Sequence, residues 1–342
     1  MEEKIKIAHK KIDSGQSELR YNVLRDEWVI IAKNRGKRPH QFKTEEKKVE
    51  YDEKTDVFYD LEKSGQEKDT LIYSDDNGEW TTRVFPNKFP VVKSGEELKD
   101  VSENFYPALT ATGNHEIVLT RDGKRTFSLL DIYELAEVID AYRERYISLM
   151  RKKDIKSVTI FHNHGKKAGA SVIHPHSQII ALPVVTSAVM REIEASEKYY
   201  KSTKRNLFEL IVEYELKKGE RVIYENEEFL AYCPFASDRA FQIRIMPKKP
   251  QPYFERINTE QERSLAEVLS VSLRTLYNGL EDPDFNYYIH TAPCDGKAYP
   301  NYNFHIDIFP RTHLYAGFEF ATDIEIVPIS PEDAAKFLRD SL

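Results

Sequence analysis

Cysteine is scarce in this chain, and long apolar segments are missing from it. The two cysteines, Cys233 and Cys294, lie far apart and form no CxxC pair. This excludes a disulfide framework and predicts two free thiols in a reducing cytosol. No stretch approaches the ~20 apolar residues that span a bilayer. The charged N-terminal segment MEEKIKIAHKKIDSG lacks the apolar run of a signal peptide. The sequence therefore predicts a cytoplasmic protein with no membrane partner.

An excess of positive charge is also missing. The chain has 50 Lys and Arg against 57 Asp and Glu, which gives a formal net charge of −7. This balance argues against a general nucleic-acid-binding protein but leaves room for local basic pockets that bind small anions. The 342 residues are enough for a sizeable core, in two domains or one large one.

The same order of predicted elements occurs twice: strand, helix, strand, histidine-bearing strand. These elements are 115–120, 131–152, 157–163 and 174–183 in the first half, and 240–247, 259–279, 286–293 and 303–310 in the second. Any α/β protein alternates in a similar way, but the matched histidine-bearing strands favour a duplicated module. We therefore predict an α+β protein of two modules, 1–195 and 196–342, in which helices pack on antiparallel sheets.

One short motif concentrates the chemistry. The stretch SVIHPHSQIIALP, residues 171–183, places two histidines and a glutamine at alternate positions before an apolar run. Because side chains alternate between the two faces of a strand, His174, His176 and Gln178 are expected on one face. Pro175 has no backbone donor, which predicts a strand start or an edge strand. By itself the pattern also fits a metal-binding pair or two surface histidines.

The loop before this motif is typical of phosphate binding. Gly165 and Gly169 flank two lysines, and Ser171 follows. Glycines let the backbone approach a ligand closely, and backbone amides and lysines suit phosphate. A neutral imidazole is a good nucleophile towards phosphorus near neutral pH, and Gln178 can donate to a phosphate oxygen. We therefore favour phosphate chemistry at His176 over a metal-binding pair.

The segment FHNHGKKAGASVIHPHSQ resembles the active-site region of galactose-1-phosphate uridylyltransferases, the transferase branch of the histidine-triad superfamily. The resemblance extends along nearly the whole chain. Further similar segments are YNVLRDEWVIIAKNRGKRP, RVFPNKFP, ERVIYENEEFLAYCPFA and HLYAGFEFATDIEIVP. The resemblance implies two fused histidine-triad-like modules, usually paired into a homodimer with shared active sites.

The resemblance also implies a ping-pong reaction. In it, His176 attacks the α-phosphorus of UDP-glucose, glucose 1-phosphate leaves, and galactose 1-phosphate then takes the uridylyl group. The implied catalytic residues are His176, Gln178 and Ser171. The implied substrate-binding residues are Asn163 for the phosphoryl group, Arg35 and Arg38 for phosphate, Asn87 and Phe89 for uridine, and Phe318 and Glu319 for the hexose.

The chain departs from the family at the zinc site of its first module. Many relatives bind zinc there through a CxxC pair and two histidines. Here Asp56 and Tyr59 stand at the cysteine positions, whereas His115 and His174 remain. A structural zinc site normally has four ligands, commonly with thiolates. We therefore predict no zinc at this position and expect His115 to bond beside His174.

Two further metal sites that some relatives carry are also altered. The four positions of a second zinc site hold Asn206, Glu209, Pro250 and Asn303. The positions of an iron site hold Glu192, His290, His305 and Asp307. The latter set could hold a divalent metal, although we favour polar residues that satisfy one another, so no cofactor is predicted with certainty. We further predict that His305 is not a second nucleophile, because Asp307 puts negative charge where a phosphate would lie.

Other functions remain open at this stage. The serine of HPHSQ and the following ALPVV also resemble the adenylyl-transferring phosphorylases of the same superfamily, which act on ADP-glucose or dinucleoside polyphosphates. A non-catalytic nucleotide-sugar sensor and a hydrolase are further alternatives. Retention of His176, Gln178 and Ser171 counts against the sensor. The sequence leaves open the base and the acceptor.

Overall fold

A computed structural model describes residues 16–33, 51–312 and 316–342 of the chain. Arg35 and Arg38, the predicted phosphate-binding arginines, lie outside the described residues. Among the described helices, none is both long enough and apolar enough to cross a membrane.

The described residues form thirteen β-strands and six α-helices. The strands are β1 (Glu18–Asn22), β2 (Glu27–Ile31), β3 (Leu71–Ser74), β4 (Trp80–Pro86), β5 (Asn114–Thr120), β6 (Ser157–His164), β7 (His176–Leu182), β8 (Val222–Glu225), β9 (Phe229–Tyr232), β10 (Ile243–Pro247), β11 (Phe285–His290), β12 (His305–Pro310) and β13 (Glu325–Val327). The helices are α1 (Ile132–Met150), α2 (Ser187–Thr203), α3 (Leu207–Lys218), α4 (Thr259–Leu280), α5 (Gly317–Thr322) and α6 (Pro331–Arg339).

Ten strands form one antiparallel sheet in the order β3-β4-β5-β7-β6-β11-β12-β10-β9-β8. The two halves of this order mirror each other, and β6 and β11 meet at its centre, where Asn163 pairs with Asn286. Strands β1, β2 and β13 form a separate small sheet, with β13 parallel to β2. The predicted α+β class, with antiparallel sheets and packed helices, is confirmed. The predicted boundary after residue 195 falls inside α2, and the division into two modules stays a prediction.

Helices α1 and α4 pack on each other and against the strands of the large sheet. Helix α1 begins where the side chain of Asp131 accepts hydrogen bonds from the backbone N–H groups of Tyr133 and Glu134, and Glu134 reaches back to close the capping box. Its apolar stripe, which includes Leu135 and Tyr142, is buried against the sheet. Both long helices follow the bounds that the apolar spacing predicts to within two residues.

Strand β7 divides its side chains between the two faces of the sheet. Ser177 lies towards the helices, where its Oγ accepts a hydrogen bond from the hydroxyl of Tyr142 on α1. His176 and Gln178 alternate with Ser177 and so lie on the opposite face. The strand begins at His176 and not at His174 as predicted, because the proline between them has no N–H to contribute to the ladder. The chemically interesting face is therefore the one that α1 and α4 leave uncovered.

Candidate active site

His176 occupies the first position of β7. Its Nδ1 lies 2.9 Å from the carbonyl oxygen of His174, to which it donates a hydrogen bond. A proton held on Nδ1 leaves the lone pair of the neutral ring on Nε2, the nitrogen that can attack an electrophile. Burial lowers the pKa of His176 below its usual value, which favours the neutral ring near neutral pH. The backbone partner that fixes this tautomer is therefore in place.

Gln178 has the orientation of its amide set by His115. The backbone N–H of Val91 donates to Nδ1 of His115 over 3.2 Å, so the proton of that ring lies on Nε2. This Nε2 donates in turn to Oε1 of Gln178 over 2.8 Å. With its oxygen engaged, Gln178 presents its NH₂ group as a donor on the site face. His115 thus bonds to Gln178, which corrects the expectation that it bonds beside His174.

Asn163 is held in a similar way by residues of the second half. Asn286 donates from Nδ2 to Oδ1 of Asn163 and to the carbonyl oxygen of Ala168, both over 2.7 Å. Arg311 donates from Nε to Oδ1 of Asn286 over 2.5 Å, which fixes the orientation of Asn286. Asn163 therefore also presents an NH₂ group, and the register of β6 with β7 places it beside His176. Two amide donors consequently flank the imidazole.

The loop between β6 and β7 has the glycines that a phosphate-binding loop needs. Gly165 and Gly169 have φ angles of 82° and 86°, in the region that favours glycine. A Cβ atom on Gly165 would lie 2.2 Å from the carboxyl group of Asp284. That carboxylate accepts a hydrogen bond from the backbone N–H of Lys167 over 2.6 Å. Ser171 is exposed at the end of the loop, and its predicted part in phosphate binding stays a prediction.

The residues predicted to bind the base and the hexose lie in two separate segments. Asn87 lies next to His115, with its Nδ2 3.2 Å from Nε2 of that ring. Phe89 is 81% exposed, so its ring is free to stack on a planar group. Phe318 is exposed on α5, whereas Glu319 is buried and caps the start of the same helix. Their roles in substrate binding stay predictions.

The residues at the expected zinc position do not fit zinc. Nδ1 of His174 lies 2.7 Å from Oδ2 of Asp56, and Nε2 lies 2.7 Å from the carbonyl oxygen of Thr120. Both nitrogens therefore donate hydrogen bonds, and neither offers a lone pair to a metal. Tyr59 is 60% exposed, and both ring nitrogens of His115 are engaged elsewhere. The absence of zinc from the protein itself stays a prediction.

A buried cluster in the second half brings metal-binding atoms together. Ligand atoms of Glu192, His290 and His305 all lie within 4.8 Å of one another. Burial alone would raise the pKa of Glu192, but the two histidines hold that pKa well below its usual value. Asp307, the predicted fourth member, instead binds Arg244 through both carboxylate oxygens over 2.6 and 2.7 Å. The three remaining residues offer a donor set of a kind that binds divalent cations.

His305 repeats part of the geometry of His176. Its Nδ1 lies 3.2 Å from the carbonyl oxygen of Asn303. Its Nε2, however, lies 3.6 Å from the Glu192 carboxylate and 3.9 Å from that of Asp307. Negative charge on two sides opposes a phosphate group at this nitrogen. That His305 is not a second nucleophile stays a prediction, and this surrounding charge supports it.

A cavity of about 780 Å³ opens on the same face of the sheet, beside Asn163. Residues of both halves line it, among them Asn286, Tyr288 and Arg311. A cavity of this size is within the range of small-molecule sites. Of the three site residues, Asn163 lines the cavity, so a nucleotide-sized ligand has space beside this amide.

Residues 7–186 match a family model described as the galactose-1-phosphate uridyl transferase N-terminal domain. Residues 129–342 match a second model, described as a domain of unknown function.

Curated relatives cover nearly the whole chain. An ADP-glucose phosphorylase of Arabidopsis thaliana is 27% identical over 96% of this chain and 94% of its own length. A galactose-1-phosphate uridylyltransferase of Thermotoga maritima is 29% identical over 95% of this chain and 98% of its own length. Among solved structures, an ADP-glucose phosphorylase from Arabidopsis thaliana with bound ADP-glucose is similar with a TM-score of 0.79 and 27% identity, over 95% of this chain and 99% of that one.

Proposed function

The chain belongs to the galactose-1-phosphate uridyl transferase family of nucleotidyltransferases, and on that basis we propose that it transfers a nucleoside monophosphate from a nucleotide sugar to a phosphate-bearing acceptor through His176. The observation that carries the proposal is the ring of His176. Its Nδ1 donates to a backbone carbonyl, so the Nε2 lone pair is available on the face that carries the Asn163 and Gln178 amides.

The proposed reaction has two balanced steps. In the first, Nε2 of His176 forms a bond to the α-phosphorus of the nucleotide sugar, and the bond from that phosphorus to the bridging oxygen breaks. The electron pair leaves with the sugar 1-phosphate, and the proton on Nδ1 stays in place, so the ring becomes a nucleotidyl-imidazolium. In the second, an acceptor phosphate oxygen attacks the same phosphorus and the P–N bond breaks. The neutral ring returns, and no separate base is needed.

The two amide groups stabilise charge on the phosphoryl oxygens during both steps. Gln178 and Asn163 present NH₂ donors whose orientation is fixed before the substrate binds, and such preorganised donors lower the barrier most effectively. Ser171 and the backbone of the loop from Gly165 complete the proposed phosphate cradle. Arg35 and Arg38 are proposed to meet the phosphates through bidentate contacts.

For the substrates we propose UDP-glucose as donor and galactose 1-phosphate as acceptor. Asn87 and Phe89 would then contact the uridine, and Phe318 and Glu319 the hexose. ADP-glucose with inorganic phosphate is the second candidate pair. It is favoured by the similarity to the solved ADP-glucose phosphorylase over 95% of this chain. A homodimer with shared active sites is part of the proposal, and light scattering on the purified protein tests it.

The two substrate pairs are separated by a crossed assay. The enzyme is incubated with UDP-glucose or with ADP-glucose, in each case without an acceptor, with galactose 1-phosphate, or with inorganic phosphate. The products are identified by mass. We expect one nucleotide sugar to release glucose 1-phosphate in an amount equal to the enzyme, and to turn over only when its acceptor is added. Continuous release without an acceptor would identify a hydrolase, and no release from either nucleotide sugar would contradict the proposal.

A further inference from the structure

The segment before β3 closes over the histidine motif through Asp56. Oδ2 of Asp56 accepts hydrogen bonds from Nδ1 of His174 over 2.7 Å and from the hydroxyl of Tyr51 over 2.8 Å. Oδ1 accepts the backbone N–H of Phe58 over 2.9 Å. The side chains of Asp56 and His174 are each only 2% exposed. Both carboxylate oxygens are thus occupied in a nearly dry environment, where unpaired groups would be costly.

His174 is anchored from both sides of its ring. Besides the bond to Asp56, its Nε2 donates to the carbonyl oxygen of Thr120 over 2.7 Å. An imidazole that donates from both nitrogens is an imidazolium, and the carboxylate of Asp56 supplies the balancing charge. A buried pair of this kind is held only when further hydrogen bonds satisfy the remaining atoms. Tyr51, Phe58 and Thr120 provide those bonds.

The anchored ring belongs to the residue that orients His176. The carbonyl oxygen of His174 accepts the proton from Nδ1 of His176. The ring of Phe58 packs edge-on against both histidines, with centroid distances of 5.9 Å to His174 and 5.3 Å to His176. Fixing the ring of His174 therefore fixes the carbonyl that selects the tautomer of His176.

Gly123, on the connection between β5 and α1, leaves room for this closure. A Cβ atom on Gly123 would lie 2.5 Å from the ring of Tyr51, closer than real carbon atoms approach each other. With Tyr51 placed to reach Asp56, position 123 has no room for a side chain. Tyr51 and Asp56 in the segment before β3, and Gly123 in a separate segment, thus fit the same arrangement.

We propose that Tyr51, Asp56 and His174, which we call the carboxylate clamp, take the place of the zinc that many relatives bind at this position and hold the histidine motif in its reactive geometry without a metal. Asp56 acts in this proposal as a positioning residue. The inference rests on the proposed function only in calling His176 the nucleophile. The clamp itself is tested without any assay of turnover.

The experiment compares wild type, Asp56→Asn, and the control Asp60→Asn, a carboxylate of the same segment whose ion pair with Lys63 lies at the surface. Each protein is dialysed against a chelator, its metal content is measured, and the imidazole protons are recorded by ¹H–¹⁵N spectroscopy. We expect less than one tenth of an equivalent of zinc in wild type, and protons on both ring nitrogens of His174. Asp56→Asn is expected to lose one of those protons and to unfold at a temperature lower by about 4 to 7 °C. Asp60→Asn should match wild type in the ring protons of His174 and in the unfolding temperature.

A second readout separates positioning from simple loss of stability. Below the unfolding temperature of every variant, Asp56→Asn should form the nucleotidyl adduct about tenfold more slowly with an unchanged KM for the nucleotide sugar. Tyr51→Phe keeps the ring against Gly123 and removes only one hydrogen bond. This variant should therefore retain most of the wild-type rate of adduct formation. Stoichiometric zinc bound to His174, or a wild-type His174 with a single ring proton, would overturn the inference. Intact clamp spectra in a protein that forms no adduct would instead refute the proposed function and leave the clamp standing.

Discussion

Replacing His115 by phenylalanine is expected to slow transfer although His115 itself is not assigned a contact with the phosphate. The ring donates to Oε1 of Gln178 over 2.8 Å and is kept in that tautomer by the backbone N–H of Val91. Phenylalanine fills similar space but cannot donate. The amide of Gln178 is then free to rotate and to turn its oxygen towards the phosphate, where it would repel the developing negative charge.

The size of the effect follows from the hydrogen bond that is lost. A net hydrogen bond contributes about 0.5 to 1.5 kcal/mol, which corresponds to a rate lower by about 2- to 12-fold. The upper limit is set by removing the donor altogether. Gln178→Ala should slow transfer by about 10- to 1000-fold, the range for losing one transition-state donor.

The assay is a double-mutant cycle on the single-turnover rate of glucose 1-phosphate release. If His115 acts through Gln178, His115→Phe should lower the single-turnover rate by less than about twofold when Gln178 has already been replaced by alanine. His115→Gln, whose amide can also donate, should recover part of the rate in the wild-type background. Equal losses from His115→Phe in both backgrounds would refute the reasoning, since the two residues would then act independently.

Three further expectations follow from the same geometry. The rate of adduct formation should stay constant as the pH falls through ~6.5, the usual pKa of histidine. The reason is that the neutral ring is the nucleophile and burial lowers the pKa of His176. A rate already halved at pH ~6.5 would contradict this expectation. Gly123→Ala should lower the free energy of unfolding by about 1 to 3 kcal/mol in urea titrations, through the collision with Tyr51, and an unchanged midpoint would count against the packing described. Asn286→Ala should slow transfer about tenfold by releasing the amide of Asn163, with the circular-dichroism spectrum unchanged, and wild-type kinetics would remove Asn286 from the account.

Local sequence signals were enough for the two long helices, α1 and α4, and for the choice of His176 as the candidate nucleophile. The cap at Asp131 and the spacing of Leu135 and Tyr142 predict α1 because both are properties of one continuous segment. The alternation in HPHSQ likewise places His176 and Gln178 on one face. Pro175 even indicates the strand start, although the predicted strand included His174.

Contacts between distant segments could not be predicted in this way. His115 lies 63 positions from Gln178, and the partner of Asp307 is Arg244, 63 positions away on a neighbouring strand. Which side chain engages which depends on sheet register, and register is a property of the folded chain. Asn286 did carry a signal, since the repeat makes the strand at 286–293 the counterpart of the strand at 157–163. Only the register of the central pair shows that Asn286 meets Asn163.

Mass spectrometry of the intact protein, after brief mixing with UDP-glucose or ADP-glucose and no acceptor, shows whether His176 is the nucleophile. We expect one of the two nucleotide sugars to add a single nucleoside monophosphate and proteolytic mapping to place it on His176, whereas His176→Asn should add none while still binding the nucleotide. An adduct mapped to another residue, or a His176→Asn protein that is still nucleotidylated, would refute the proposed mechanism.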